Sequence, residues 1–360
     1  MEVRPGLPFA HLSPTQARRA GTSRGPVPLD SKTADFTLSS VKLSRRQWLL
    51  GAAGTGTVTA AAVTGWLSLS HRWPARWFRT VMADTQRSMQ PAPVRPTPLS
   101  WSDQDLTACW LGHATVLINF LGVRILTDPV LGARVGLSLG LGTLGPKRFI
   151  APALSLDQLP RLDLVLLSHA HMDHLDLRTL RRLPAEVQVV TAWDTSDFLP
   201  PRRFRQITEL RWGEATVVET AAGPIEVKAF EVRHWGRRWP KDRERGYNGY
   251  VLTREGRSIL FGGDTALTPL FRNLRPDGPF DVAFMPIAAY QPYIQSHCTP
   301  EQAVQMANEA GARHVAAIHH QTYRLSNEPL HEPLERFVAA LDREPDRIAF
   351  RGVGETLELG

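Results

Sequence analysis

Residues Leu162–Leu180 read LDLVLLSHAHMDHLDLRTL. The apolar run LDLVLL predicts a buried strand, and Ser168 opens the turn that leaves it. Three histidines and two aspartates then fall between His169 and Asp176. His169 and His171 lie two apart, so an extended backbone points both the same way. Asp173 and His174 enter the following helical turn, where they can face a second ion. Side chains at a strand end are held by a rigid scaffold while they face a cleft. Zinc takes imidazole nitrogen and carboxylate oxygen and tolerates an open position. Iron or manganese accepts similar donors. The competing reading is a set of solvated turn histidines.

Working outward, three further candidates each sit at the end of a predicted strand. His234 follows IEVKAFEVR, Asp264 follows RSILFGG and His319 follows HVAAI. The two glycines before Asp264 give the backbone room. Seven candidate ligands result: His169, His171, Asp173, His174, His234, Asp264 and His319. Other strands are predicted at TACWLG, ATVLINF, VRILTDPV, EVQVVTA, ATVVET, NGYVLT and FDVAFMP, with Gly122 as a tight turn. Helices are predicted over Leu175–Leu183, Thr299–Ala310 and Pro333–Asp342. The second has Thr299 as N-cap, Pro300 at the first helical position and Gln302 three residues after the cap. The stretch GLSLGLGTLGP lacks the order of a nucleotide-binding loop.

The chain has 360 residues, 42% hydrophobic and 21% charged, an ordinary globular composition. Its formal charge of +7 is unevenly spread. Residues 1–98 carry 13 Lys+Arg against 4 Asp+Glu, whereas residues 99–360 carry 29 against 31. A uniformly basic, nucleic-acid-binding body is thereby excluded, and no nucleic-acid partner is expected. Cys109 and Cys298 are far apart and read as buried free thiols. Residues 1–43, rich in Pro, Ser, Thr and Arg, predict a disordered extension. Arg45-Arg46 precedes a stretch from Gln47 to Ser70 without charge, and Ser44–Leu50 resembles the bacterial twin-arginine signal. Residues 44–71 therefore read as an export signal or membrane anchor, which predicts a periplasmic or membrane-anchored envelope protein. The alternative is a chance Arg-Arg in a cytoplasmic chain. Residues 72–98 read as a linker and 99–360 as the folded domain.

The order of the seven ligands is similar to that of the metallo-β-lactamase superfamily of metallohydrolases, over about residues 105–355. The resemblance implies an α/β (α+β) architecture, a four-layer αβ/βα sandwich. Two mixed sheets would face each other, with helices outside and the metals at one sheet edge. It implies two zinc ions per chain, one on His169, His171 and His234 and the other on Asp173, His174 and His319, with Asp264 bridging. The stretches WLGHATVLINFLGVRILTDPVL, GPKRF, RHWGRR, GGDT, MPIAAYQP, HCTPEQAV and AIHHQTY further resemble the N-acylphosphatidylethanolamine-hydrolysing phospholipase D group and its bacterial relatives. His320 and Gln321 stand where that group commonly has Trp-Gly.

Supporting residues follow. Asp128 in LTDPV is expected behind the ligands, accepting the far N–H of a ligating imidazole, or else as a turn former before Pro129. His113 in LGHAT is expected to line the site or to serve the turn. His297 in SHCTP matches a histidine near the site of the phospholipase group. It would donate a proton to the leaving group or bind phosphate, unless it serves only the helix start. Arg233, Arg237 and Arg238 surround His234, and arginine forks bind phosphate. The alternative is a solvated loop paired with Asp242 and Glu244. Trp235, Trp239 and Tyr290 are candidates for an apolar substrate wall, or for core. Catalysis is expected to rest on Asp264, Asp173 and His297. The resulting expectation is binuclear, zinc-dependent hydrolysis of phospholipase D type. The substrate would be an N-acylphosphatidylethanolamine-like lipid or another anionic phosphodiester, with membrane association compatible with the N-terminal signal. A lactone or amide hydrolase using the same metal pair, and an envelope metal sensor or scaffold without turnover, are the alternatives.

Overall fold

The structure, a computed structural model, describes residue 84, residues 87–138 and residues 142–360. The expectations for residues 1–43 and 44–71, and for most of the linker up to residue 86, lie outside the described residues. Among the described residues no helix is long and apolar enough to cross a membrane.

The chain runs through β1 (Leu106–Gly112), β2 (Thr115–Phe120), β3 (Val123–Thr127), β4 (Leu137–Ser138), β5 (Thr143–Leu144) and β6 (Leu164–Leu167). Next come α1 (Leu177–Leu180), β7 (Gln188–Ala192), β8 (Gln206–Leu210), β9 (Ala215–Thr220), β10 (Gly223–Glu231), β11 (Asn248–Arg254) and β12 (Arg257–Phe261). The last part comprises β13 (Phe280–Pro286), α2 (Pro300–Ala310), β14 (Ala312–Ile318), α3 (Glu332–Ala340) and β15 (Thr356–Leu359). Local chemistry sets several of these boundaries. Leu121 and Gly122 both have positive φ, 50° and 88°, which closes the two-residue hairpin between Phe120 and Val123. Helix α2 begins as its capping signal predicts. The Thr299 side chain accepts from Gln302 N, and the Gln302 side chain accepts from Thr299 N at 3.1 Å.

The strands form two mixed sheets, ordered β15-β1-β2-β3-β6-β7-β8 and β14-β13-β12-β11-β10-β9, and β4 and β5 pair separately. β3, β6, β7 and β8 run parallel, as do β12, β13 and β14. Strand alternation divides the second sheet's side chains between two cores. Tyr250, Leu252, Val282, Phe284, Ala316 and Ile318 pack against the first sheet. Their neighbours Val251, Ala283, Met285, Val315 and Ala317 pack under α2 and α3, with Met306, Ala307 and Phe337. Burying each large apolar side chain contributes about 1.5–3 kcal/mol. The expected sandwich is therefore present, though helices are few.

Three expectations need correction. The helix predicted over Leu175–Leu183 is only Leu177–Leu180, because Asp176 caps it by accepting from Arg178 N and Thr179 N, and Pro184 follows closely. The folded body begins before Leu99: Gln90 N donates to Phe149 O and Ala151 N to Gln90 O, both at 2.8 Å. Edge strands β8 and β15 escape prediction because their exposed, mixed-polarity sequences QITEL and TLEL lack a buried apolar run.

Candidate metal centre

The candidate ligands leave strand ends at one edge of the sandwich, where ligands of parallel sheets commonly bind. The turn after β6 carries His169, His171, Asp173 and His174. His234 follows β10, Asp264 follows β12 and His319 follows β14. Gly263, φ +57°, makes the approach to Asp264 feasible, since a Cβ there would lie 2.8 Å from Asn248 O and 3.1 Å from Ser168 Cβ.

The structure brings all seven together in two overlapping groups. His169 Nε2 lies 2.7 Å from His171 Nδ1, and His234 Nε2 lies 3.2 Å from that same nitrogen. In the second group, His174 Nε2 and His319 Nε2 each lie 3.6 Å from Asp173 Oδ2. Asp264 Oδ2 sits between the groups, 3.2 Å from His174 Nε2 and His319 Nε2 and 3.8 Å from His234 Nε2. Each group's ligand atoms lie within 4.8 Å of one another.

The surrounding hydrogen bonds aim these atoms. Asp128, fully buried with φ +32°, accepts from Ser168 N at 2.7 Å and from Ser168 Oγ at 2.6 Å. It also accepts from His174 Nδ1 at 2.7 Å, which leaves the His174 Nε2 lone pair directed into the site. With its hydrogen committed to Asp128, Ser168 Oγ accepts from His169 Nδ1 at 2.8 Å, which frees His169 Nε2. His234 Nδ1 donates to Ser296 O at 2.9 Å, which frees His234 Nε2. Ser168 is the orienting residue missed from the sequence, although it directly precedes the motif.

Whether these residues fit a cation can be tested on their own chemistry. His174 Nε2, Asp264 Oδ1 and His319 Nε2 are buried without a hydrogen-bond partner. Such atoms cost about 1–3 kcal/mol each when left unpaired. Several imidazole lone pairs converging at close range repel one another, whereas a cation accepts them all. The donor set fits. It contains nitrogen and oxygen and no thiolate, so it does not by itself choose among zinc, iron and manganese. Charge distribution agrees. Burial opposes protonation of His319, but Asp264 and Asp173 override it and raise the imidazole to about 9. His174 is likewise raised against burial by Asp264, Asp173 and Asp128. Burial would raise the Asp264 carboxyl, yet His174 and His319 hold it well below the usual carboxylate range.

A cavity of about 350 Å³ opens beside this cluster. Met172, Trp235, Ala289, Tyr293 and Leu325 supply its apolar wall, and His297 and Ser296 its polar side. His297 Nδ1 lies 3.8 Å from Asp264 Oδ2, and burial pushes this imidazole down to about 3 despite Asp264. His113 Nε2 lies 3.0 Å from Asp173 Oδ2, at the back of the second group.

Other expectations are corrected by placement. Tyr290 is buried, donates to Glu332 at 2.8 Å and does not line the cavity; Tyr293 does. Nothing in the sequence distinguished the two. Arg237 is exposed and pairs with Glu244. Arg238 is buried and donates to backbone carbonyls of the ligand turn. Arg238 is thereby committed away from phosphate, and neither arginine lines the cavity. Arg233 donates to Gln295 at 2.8 Å, beside the lining residue Ser296. Trp239 stands near the Arg238 guanidinium and outside the cavity. His320 stacks on Trp110 behind the site, with ring centroids 4.4 Å apart. Cys109 and Cys298 are buried and free, as the sequence implied.

The family model of the beta-lactamase superfamily domain matches residues 123–320. The chain is 32% identical over 260 residues to the N-acyl-phosphatidylethanolamine-hydrolyzing phospholipase D 1 of Caenorhabditis elegans, covering 68% of this chain and 72% of that protein. It is 30% identical over 295 residues to an uncharacterized protein of Mycobacterium tuberculosis, covering 78% of this chain and 77% of that one. The structure of isothiocyanate hydrolase from Delia radicum gut bacteria superposes with a TM-score of 0.55 at 16% identity, over 71% of this chain and 99% of that chain. At that identity the likeness is one of fold. The matched span runs from β3 to His320 and so contains all seven converging side chains, and this chain belongs to the metal-dependent hydrolases of the beta-lactamase superfamily.

Proposed function

We propose that the protein is a binuclear zinc phosphodiesterase of phospholipase D type, acting on an N-acylphosphatidylethanolamine-like amphiphile. The observation that carries this reading is the cavity's composition. An apolar wall of Met172, Trp235, Tyr293 and Leu325 ends directly at the ligand cluster, which suits a substrate with an apolar body and an anionic reacting group. The similarity to the phospholipase of Caenorhabditis elegans supports it.

His169, His171 and His234 would hold one ion, and Asp173, His174 and His319 the other, with Asp264 between them. Such a pair supplies Lewis acidity and a water of lowered pKa. The chain's own residues do the rest. Asp128, Ser168 and the Ser296 carbonyl fix which imidazole nitrogen faces inward. Asp264 Oδ1, buried and without a partner, is placed to accept a hydrogen bond from the attacking water. His297 Nδ1, also without a partner, faces the same space and, being neutral, offers a hydrogen bond to the substrate rather than a charge. The apolar wall excludes bulk water.

One observation favours a second reading, hydrolysis of a lactone or amide. Among the described residues no arginine or lysine lines the cavity, so an uncharged reacting group is not disfavoured. Parallel assays with an N-acylphosphatidylethanolamine, a bis-aryl phosphodiester and acyl lactones decide. Turnover of lactones alone rejects the phosphodiesterase, and metal uptake with no turnover of any of the three points to a sensor or scaffold.

A further inference from the structure

The ligand turn is pinned to the second sheet at its start. Tyr250 Oη donates to Leu167 O at 2.8 Å, and Asn248 N donates to Ser168 O at 2.9 Å. Beyond Ser168 a different group takes over. One nitrogen of Arg238, Nη1, donates to Ala170 O at 2.6 Å and to Leu175 O at 3.0 Å. Those carbonyls bracket His171, Asp173 and His174. A single guanidinium nitrogen therefore closes the turn across its two ends. Arg238 is only four residues beyond His234, so the same loop delivers a ligand from one sheet and a brace to the ligands of the other.

The brace is itself held. Asp242 Oδ2 accepts from Arg238 N at 3.0 Å and from Arg245 Nε at 2.8 Å. Rings of Phe198 and Trp239 lie 5.1 Å and 5.5 Å from the guanidinium carbon. The residue is 9% exposed, and its Nε has no partner. Its side-chain hydrogen bonds go to carbonyls and not to a carboxylate, although Asp176, Asp173 and Asp242 offset part of the cost of burying its charge. Such a buried cation is a poor way to stabilise a fold, because an apolar side chain of similar volume is commonly as good or better. It is a good way to fix two carbonyls at a set separation.

We infer that Arg238 is a positioning residue that holds the His169–His174 turn in its metal-binding geometry, so that it governs metal affinity more than fold stability. This rests on the metal-centre reading above. The test uses the full chain and compares the wild type with R238M and R238K. R238M keeps the packing between Phe198 and Trp239 but has no donor. Zinc affinity is measured by competition with a chelator, ligand geometry by the visible absorption of the cobalt-loaded protein, and melting temperature with and without metal. R238M is expected to bind zinc about 10- to 100-fold more weakly, the range seen when groups behind a metal ligand are removed. Its cobalt spectrum should change, its metal-free melting temperature should stay near that of the wild type, and R238K should recover part of the affinity. Wild-type affinity and spectrum in R238M would overturn the inference, even with a lowered melting temperature. Should R238M fail to fold, R238K decides by the same readouts, and an unchanged spectrum and affinity there also overturns it. A wild type that takes up no metal defeats the metal-centre reading itself.

Discussion

Asp128→Asn is the sharpest probe of how the site is aimed. The carboxylate accepts three hydrogen bonds and donates none, from Ser168 N, Ser168 Oγ and His174 Nδ1. An amide of the same shape has one acceptor and one donor atom. If its NH₂ takes the Oδ2 position, it confronts the Ser168 hydroxyl at 2.6 Å and His174 Nδ1 at 2.7 Å. Ser168 must then turn its hydrogen toward His169 Nδ1, and both His169 and His174 are driven to the tautomer with hydrogen on Nε2. Each would then have to give up that hydrogen before Nε2 could ligate. If the NH₂ takes the Oδ1 position instead, it meets the backbone N–H of Ser168 at 2.7 Å, which cannot turn away. Either way at least one charge-assisted hydrogen bond is lost, each worth about 1.5–3 kcal/mol. Zinc affinity should fall about 10- to 100-fold, equivalent to about 1.4–2.8 kcal/mol of binding. Chelator competition on purified D128N measures this, with circular dichroism confirming the fold. A folded D128N that binds zinc within about twofold of the wild type would refute the tautomer argument.

Further outcomes follow from the same geometry. Asp264→Asn should lower both metal content and turnover, since Asp264 Oδ2 stands between the two ligand groups; wild-type turnover in that variant would count against the binuclear scheme. Zinc affinity should fall as pH falls, because His319 in the metal-free protein holds a proton up to about 9 and a ligating imidazole must release it. Affinity that stays flat between about pH 6 and 9 contradicts this. For the metal-free protein the sign reverses. The raised His319 contributes stability that is complete below its ordinary value of 6.5 and disappears as pH rises through about 9, which thermal melts after metal removal can follow. Tyr293→Ala should raise KM for an amphiphilic substrate by about tenfold, the equivalent of about 1.4 kcal/mol, while Tyr290→Phe should leave KM unchanged; the reverse pattern would relocate the substrate wall.

What could be read from the sequence was whatever depends on a local pattern. The ligand turn, the strands leading to His234, Asp264 and His319, and the cap of α2 are all written in short contiguous stretches. Roles that depend on where a side chain points were not legible. Tyr290 and Tyr293 lie three residues apart in one loop, and only the folded path of that loop decides which one faces the cavity. Arg238 looked like a phosphate ligand because its neighbours include a metal-type histidine. The two carbonyls that claim it belong to a turn more than sixty residues away, and carbonyls carry no residue signature.

Backbone conformation carries the least sequence signal of all. Leu121, Asp194, Arg202 and Glu255 take positive φ in ordinary turns, and five further residues take it beside the site. Outside glycine, a positive φ is uncommon and costs about 1–3 kcal/mol where the surroundings enforce it. His113, Asp128, Ala289, His319 and Gln321 all adopt it, at 56°, 32°, 68°, 63° and 52°. Each turns the chain sharply beside the site. At His113 and His319 the two bends are locked together, since His319 N donates to His113 O at 2.9 Å and the rings lie 4.1 Å apart. Asp128 is held in its bend by the three donors it accepts. Ala289 is held because its N–H, and that of Gln291 at 3.1 Å, donate to the buried Glu328 carboxylate. Four of these bends aim groups at the site: two imidazoles at His113 and His319, an orienting carboxylate at Asp128 and one wall of the cavity at Ala289. At these four positions the chain sustains strained backbone at the ends of separate strands, where side chains converge on one cluster, and a set of merely structural histidines would give no reason for that.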